Sequence, residues 1–222
     1  MGLTAADAAA GITAPSEADM SNNEVDRLAI TQLLQDWALW RDTGRWDALR
    51  ACYTPDARMR TTWYDGPAAG FVDASERGFG KGPQVFHAVG SSTVRLHHHR
   101  AIAETRLTIF LRDRLKGVAL DVTCHGRVVD RLRCHEGGWR IESRLPIYDK
   151  DLVAPVEPGA ALSFDKGLLA RLPAAYRHLA YLQLQGGARI VDTIPAPNSP
   201  EQQAMYREAE SWLAGAPVET AS

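Results

Sequence analysis

Cysteine is scarce in this sequence, which has three cysteines in 222 residues and no pair in the spacing CxxC. The sequence therefore gives no sign of a disulfide framework, and three free thiols fit a reducing compartment. No stretch approaches the roughly 18 consecutive apolar residues of a membrane-spanning helix. We therefore expect a cytoplasmic protein that does not insert into a membrane.

The sequence also lacks an excess of charge of either sign, because 25 Lys and Arg residues are balanced by 27 Asp and Glu residues. Binding to nucleic acid needs an uncompensated basic surface, so we expect no nucleic acid partner. A hydrophobic content of 45% with 23% charged residues is ordinary for a globular protein. The length suits one domain with a smaller appended segment.

The clearest helical pattern lies near the amino-terminal end. Ile30, Leu34 and Trp37 recur at helical spacing and predict one apolar stripe. Ser21 followed by Glu24 resembles a capping box, so the helix is predicted to begin there, with Asn22 or Asn23 as alternative caps.

Shorter elements are predicted to follow this helix. "RWDALRACYTPDA" suggests a second helix that ends before Pro55. "RMRTTWYDGPAAGFVD" resembles a hairpin with its turn at 65–67. "GKGPQVFHAVGSS" suggests a brief helix opened by Pro83.

The stretch from Thr93 to Ile147 has the period of two that is typical of long strands. In "GVALDVTCHGRVVDRLRCH" one face is apolar and the other is mostly polar. Helices followed by a curved antiparallel sheet predict an α+β fold and not a repeat of βαβ units.

We divide the chain into three parts. Residues 1–22 are predicted to be a disordered leader, since their acidic residues and lack of Lys and Arg do not suit a secretory signal. Residues 23–150 form the main domain. Residues 151–222 form a helical extension that packs on the domain or on a neighbouring subunit, and Ser199 with Pro200 gives its last helix a strong start signal.

Several motifs resemble the NTF2-like superfamily, and in particular its SnoaL-like branch. They are "WALWRDTGRWDAL", "YTPDA", the "KGP" segment and "GGWRIESRLPIYDKD". The resemblance implies a cone-shaped roll, in which a curved antiparallel sheet surrounds the first helices, with a deep internal pocket, and a homo-oligomer, either dimer or trimer. Known members include dehydratases, isomerases, dehydrochlorinases, cyclases and a formaldehyde-releasing lyase, but also proteins with no catalytic role, so fold alone does not assign a function.

The resemblance also implies a site. In the dehydrochlorinase and dehydratase members, an Asp near the end of the first helix orients a His on the facing strand, and Asp42 matches that Asp. Its partner is expected from "LHHHRAI", with His99 preferred and His98 second. Arg144 matches an arginine of the dehydrochlorinase. The residues expected to bind substrate are Arg41, Trp40, Trp63, Tyr64 and Tyr148.

Physical chemistry allows more than one role for these histidines. A neutral imidazole accepts a proton near neutral pH, and a carboxylate fixes its tautomer. His97 and His99 lie on one strand face as an HxH pair, so a metal site completed by Asp42 or His125 is the main alternative. We favour a site without metal or cofactor, because no ligand cluster of defined spacing appears.

These observations predict a cofactor-independent lyase for a small aromatic compound, in which His99 or His98 removes a proton and water or formaldehyde leaves. The aromatic residues near Asp42 and the segment that follows the fold favour a bulky substrate, and the resemblance to the formaldehyde-releasing lyase implies a lignin-derived diaryl compound. Two alternatives stay open: an isomerase or polyketide-type cyclase with the same pair, and a ligand-binding or assembly module with no catalysis.

Overall fold

A computed structural model of the protein describes residues 17–215. The chain alternates between helices and a single group of strands. The helices are α1 (Glu17–Thr43), α2 (Trp46–Arg50), α3 (Ala68–Gly78), α4 (Lys166–Arg171), α5 (Arg177–Gln185) and α6 (Pro200–Leu213), with a 3-10 turn at Ala174–Tyr176. The strands are β1 (Tyr53–Thr61), β2 (Tyr64–Pro67), β3 (Gln84–His97), β4 (Arg100–Leu115), β5 (Val118–His135) and β6 (Gly138–Pro155).

The strands form one curved, unclosed sheet in the order β2-β1-β6-β5-β4-β3. All neighbouring strands are antiparallel except β1 and β6, which run parallel. The edge strand β3 lies against α1. The predicted α+β roll is therefore confirmed, and the fold places the end of the first helix beside an edge strand.

Helices cover both faces of the sheet. Consecutive strand residues point to opposite faces, and Val128 and Val129 of β5 show this: Val128 lines the internal cavity, while Val129 packs against α6. α1 and α3 pack their buried side chains against the inner face, and α5 covers the part of that face nearest the end of β6.

The carboxyl-terminal segment packs on the sheet of its own chain. The carboxylate of Asp151, which is 1% exposed, accepts hydrogen bonds from the backbone N–H groups of His178 (2.7 Å) and Leu179 (3.0 Å) at the start of α5. α6 begins where expected: Pro200 follows Ser199, whose hydroxyl accepts a hydrogen bond from the N–H of Gln202 at 3.1 Å.

Two of three local predictions at the amino-terminal end need correction. α1 begins at Glu17, so Ser21 lies inside the helix and does not cap it; residues 1–16 of the predicted leader lie outside the described residues. The second helix does end before Pro55 as predicted: α2 ends at Arg50, and β1, which includes Pro55, begins at Tyr53. The hairpin exists, but its turn is at residues 62–63, and Asp65 to Pro67 belong to β2.

The prediction for the segment after Pro83 is wrong in a way that matters for the site. This segment is the start of strand β3 and not a helix. Val85, His87 and Val89 are half-buried, while the residues between them are exposed. This alternation is the period of two of a strand with one buried face.

Candidate active site

A cavity lies between the inner face of the sheet and helices α1, α3 and α5. Its empty space is about 610 Å³ when the open mouth is included, but the centre of a water-sized molecule reaches only about 80 Å³ of it. The wall combines mainly apolar and aromatic side chains with a few polar ones, as in small-molecule sites. The lining side chains that bear on the argument are Trp37, Arg41, Thr62, Trp63, His87, Arg144, Tyr148, Leu179 and Gln183.

Asp42 and His87 form a hydrogen-bonded pair at this wall. The ring Nδ1 of His87 lies 2.7 Å from Oδ1 of Asp42, and the backbone N–H of His87 donates to Oδ2 at 2.6 Å. β3 is an edge strand, so this N–H group does not have to donate a hydrogen bond to a neighbouring strand. The two side chains are only 11% and 12% exposed.

This geometry sets the chemistry of the ring. A carboxylate that accepts from Nδ1–H leaves Nε2 of His87 as the basic nitrogen. His87 itself lines the cavity, and Asp42 lies behind it at the end of α1. Ala38 and Leu34, one and two turns earlier on the same helix, are buried, as their spacing of four predicts. The pair therefore has the orientation of a general base with its supporting carboxylate.

The prediction that His99 or His98 is the partner of Asp42 was wrong. His98 and His99 lie at the turn between β3 and β4, where both are exposed and His98 has a φ of 52°. β3 ends at His97, whereas His87, the partner of Asp42, lies near the start of this strand. The triple histidine cluster contributes nothing to the cavity wall.

Arg144 does line the cavity, and it is held by a buried carboxylate. Its Nε and Nη2 donate to the two oxygens of Asp130 at 2.7 and 2.9 Å, and its guanidinium lies 4.0 Å from the ring centroid of Trp37. Burial opposes the charge, but the attraction of Asp130 outweighs it and raises the pKa of Arg144. Arg144 thus remains a cation whose charge is largely matched by Asp130.

Arg41 is a cation of a different kind. Its side chain lines the same cavity, and among the described residues no carboxylate forms an ion pair with it. Desolvation by burial lowers its pKa despite the opposing influence of Asp42. An arginine that stays charged in such surroundings attracts an anion or a developing negative charge.

The structure separates the aromatic residues that were expected to bind substrate. Trp63 and Tyr148 line the cavity, and burial raises the pKa of Tyr148. Trp40 packs against the hydrophobic core cluster and does not reach the cavity. Tyr64 is turned away, and its hydroxyl donates to the carbonyl of Pro67 at 2.7 Å.

Trp37 is a wall residue that was not among the expected substrate-binding residues. It is 2% exposed, its ring packs edge-on to His87 with 5.7 Å between centroids, and its Nε1–H donates to the hydroxyl of Tyr53 at 2.6 Å. The ring therefore fixes one side of the imidazole.

A second Asp–His pair shows why the cavity matters more than the pair itself. His178 Nδ1 lies 2.8 Å from Oδ1 of Asp151, which also accepts from the backbone N–H of His178. This geometry almost repeats that of His87 and Asp42, but His178 does not line the cavity. Its carboxylate supports the start of α5.

The described part of the chain offers no obvious metal centre. Residues 17–215 contain no group of three or more His, Cys, Asp or Glu side chains arranged to hold a metal ion. Within the same range, no helix has the length and apolar character needed to span a membrane.

Comparison with known proteins identifies the family. Residues 25–145, more than half of the chain, match the SnoaL-like domain. The chain belongs to the SnoaL-like domain family. Among curated proteins, it is 29% identical over 209 residues to pea pathogenicity protein 2 of Fusarium vanettenii, with 88% of each chain covered. Because this alignment covers 88% of the chain, it must extend into the region after residue 145.

Two solved structures share the fold at low sequence identity. A candidate scytalone dehydratase from Novosphingobium aromaticivorans has a TM-score of 0.54 and 15% identity, covering 64% of this chain and 99% of that one. A hexachlorocyclohexane dehydrochlorinase has a TM-score of 0.53 and 12% identity, covering 66% and 99%. The resemblance predicted from the motifs is thus confirmed at the level of family and fold.

Proposed function

We propose that this protein is a cofactor-independent lyase that acts on a small aromatic compound, with His87 as the general base. The observation that carries the proposal is the His87–Asp42 pair at the wall of a largely apolar cavity. The fold neighbours that are named as a dehydratase and a dehydrochlorinase support an elimination reaction. General-base assistance of this kind contributes a factor on the order of 10²–10⁴ to the rate.

In a dehydration, Nε2 of His87 removes a proton from carbon, the C–H electron pair forms a double bond, and the adjacent C–O bond breaks. The departing hydroxide takes up the proton that Nε2 of His87 removed and leaves as water, which returns the imidazole to its neutral form. Asp42 stabilises the imidazolium that forms, and Arg41 stabilises negative charge that develops on an oxygen of the substrate.

A diaryl propanediol of the lignin type would react in a related way. His87 then removes the proton of the primary hydroxyl, the C–C bond breaks to give formaldehyde, and the electron pair forms the new double bond while the benzylic hydroxide leaves. The products are a diaryl alkene, formaldehyde and water. Flat side chains such as Trp37 and Trp63 suit either aromatic substrate.

The test is a panel of aromatic β-hydroxy ketones and 1,2-diarylpropane-1,3-diols. Ultraviolet absorbance reports the new double bond, and a colorimetric assay reports formaldehyde. We expect the wild-type protein to convert at least one compound and His87→Gln to lower kcat by roughly 10²–10⁴-fold. His99→Gln, which changes an exposed residue of the predicted cluster, is the matched control and should retain the wild-type rate.

Two results would contradict the proposal. One is an equal loss of activity in both variants, or no loss in either. The other is tight binding of panel compounds without conversion of any, which would favour a ligand-binding module.

A further inference from the structure

Helix α5 gives the cavity a wall that lies outside the SnoaL-like domain. The family match ends at residue 145, and α5 spans Arg177–Gln185. Leu179 and Gln183 are four residues apart on this helix, so they share one face, and both line the cavity. Leu179 and Leu182 are 1% and 2% exposed and anchor the helix to the sheet. The position of Gln183 is therefore fixed.

Two residues that line the cavity each have a buried polar atom without a hydrogen-bond partner. Oε1 of Gln183 and Oγ1 of Thr62 are both buried, and neither forms a hydrogen bond with any other described residue. Most buried polar atoms in folded proteins are hydrogen-bonded, so an unpartnered one needs an explanation. Here two such atoms belong to residues that line the same cavity.

The extension positions both groups. Gln183 lies on α5, and the backbone N–H of Val191 donates to the carbonyl of Thr62 at 2.8 Å. The hydroxyl of Tyr176 donates to the carbonyl of Val191 at 3.3 Å, which ties this segment to the start of α5. The segment after the family domain thus places Gln183 in the wall and fastens the β1–β2 turn that carries Thr62.

We infer that Gln183 and Thr62 bind hydroxyl groups of the substrate and make the enzyme selective for hydroxylated aromatic compounds. An amide oxygen only accepts hydrogen bonds, so Gln183 Oε1 requires a donor on the ligand, while the hydroxyl of Thr62 serves as donor or acceptor. An ammonium donor is disfavoured beside Arg41, which lines the same cavity and has no ion-pair partner among the described residues. A hydroxyl group on an otherwise apolar ring is a neutral donor for Gln183 and a donor or acceptor for Thr62. This inference rests on the proposed function only in requiring that the cavity bind an aromatic ligand.

Three probes separate hydrogen-bond donation from ring binding. Catechol, guaiacol and veratrole share a benzene ring with two adjacent oxygens but carry two, one and no hydroxyl donors. Their Kd values are measured by NMR titration, so no turnover is needed. We expect the wild-type protein to bind catechol about tenfold more tightly than veratrole, in line with one or two net hydrogen bonds.

The variants Gln183→Met and Thr62→Val keep the size of the side chains and remove the polar atoms. Each should reduce the preference for catechol about threefold or more, and the double variant should nearly abolish it, while the Kd of veratrole changes less than about twofold. Ser75→Ala is the matched control, because Ser75 Oγ is equally buried and unpartnered but Ser75 does not line the cavity.

Thermal unfolding adds a measurement that separates ligand binding from a structural role. Removal of an unpartnered buried polar atom should leave Tm unchanged or raise it. A wild-type preference for catechol that both variants retain would overturn the inference, and so would failure of catechol to bind at millimolar concentration. A lowered Tm together with equally weakened binding of all three probes would also overturn it, since the residues would then be structural.

The failure of this inference is distinguishable from the failure of the proposed function. Loss of the catechol preference in the variants, without turnover of any panel compound, supports the binding role and contradicts the lyase. Turnover that depends on His87, together with a catechol preference that the variants retain, supports the lyase and contradicts the binding role of Gln183 and Thr62.

Discussion

The buried ion pair of Arg144 and Asp130 makes the cavity wall sensitive to the loss of one carboxylate. The two side chains are 3% and 0% exposed and are joined by hydrogen bonds of 2.7 and 2.9 Å. At such a distance, Coulomb's law gives an attraction of about 6 kcal/mol with an effective dielectric constant of about 20. Desolvation of both charges offsets much of this, so the intact pair adds little net stability.

Asp130→Ala removes the carboxylate that balances the charge of Arg144 but leaves the guanidinium buried. We expect the free energy of unfolding to fall by about 3–5 kcal/mol. Urea unfolding followed by tryptophan fluorescence measures this change by linear extrapolation. Trp37, on which Arg144 stacks, is one of the reporting fluorophores.

The matched control removes both charges. Asp130→Leu combined with Arg144→Met replaces the pair with apolar side chains and should recover most of the lost stability, since such replacements are often neutral or stabilising. A loss of less than about 1 kcal/mol in Asp130→Ala would refute the reasoning, because Arg144 would then have access to water or another partner.

Three further predictions concern separate parts of the molecule. Arg41→Met should leave the free energy of unfolding unchanged or higher, because a desolvated and unpaired cation is removed, and urea unfolding checks this. The same variant should lower kcat for a converted panel compound about tenfold, because negative charge that develops on the substrate loses its partner, and initial rates check this. Burial raises the pKa of Cys52 to about 12, so iodoacetamide at pH 8 should leave it unmodified in the folded protein, as mass spectrometry of peptides would show. Because an unfolded thiol ionises near pH 8.5, the contribution of Cys52 to stability is complete below about that pH and is lost as the pH rises toward the folded value. Ser199→Ala should lower the free energy of unfolding by about 1 kcal/mol by removing the cap of α6, and an unchanged urea midpoint would contradict this.

The long strands were predictable because their pattern is repeated many times. β5 alternates buried and half-buried residues from Leu120 to Gly126. The segment quoted for this strand, residues 117–135, lies between the turns at Lys116–Gly117 and Glu136–Gly137. Asp42 was predictable because the spacing from Leu34 continues a buried row of α1. A regular pattern along the sequence predicts which face of a strand or helix is buried, and this prediction does not depend on the rest of the fold.

His87 could not be found in the same way. The glycines and Pro83 that precede β3 suggested a turn and a helix start, and this concealed the alternation of Val85, His87 and Val89. The partner of Asp42 also depends on how α1 crosses the edge strand, which is a contact between distant parts of the chain. Gln183 was missed because nothing local indicates that α5 covers the cavity.

The most direct test of the central claim is a double-mutant cycle on kcat/KM with a converted panel compound. If Asp42 acts only by orienting and stabilising His87, the two residues behave as one unit. We predict that Asp42→Asn lowers kcat/KM strongly in the wild-type background and changes it less than about threefold when His87 is already Gln. Independent effects that multiply in the double variant would contradict the claim, as would a His87→Gln enzyme with activity close to that of the wild type.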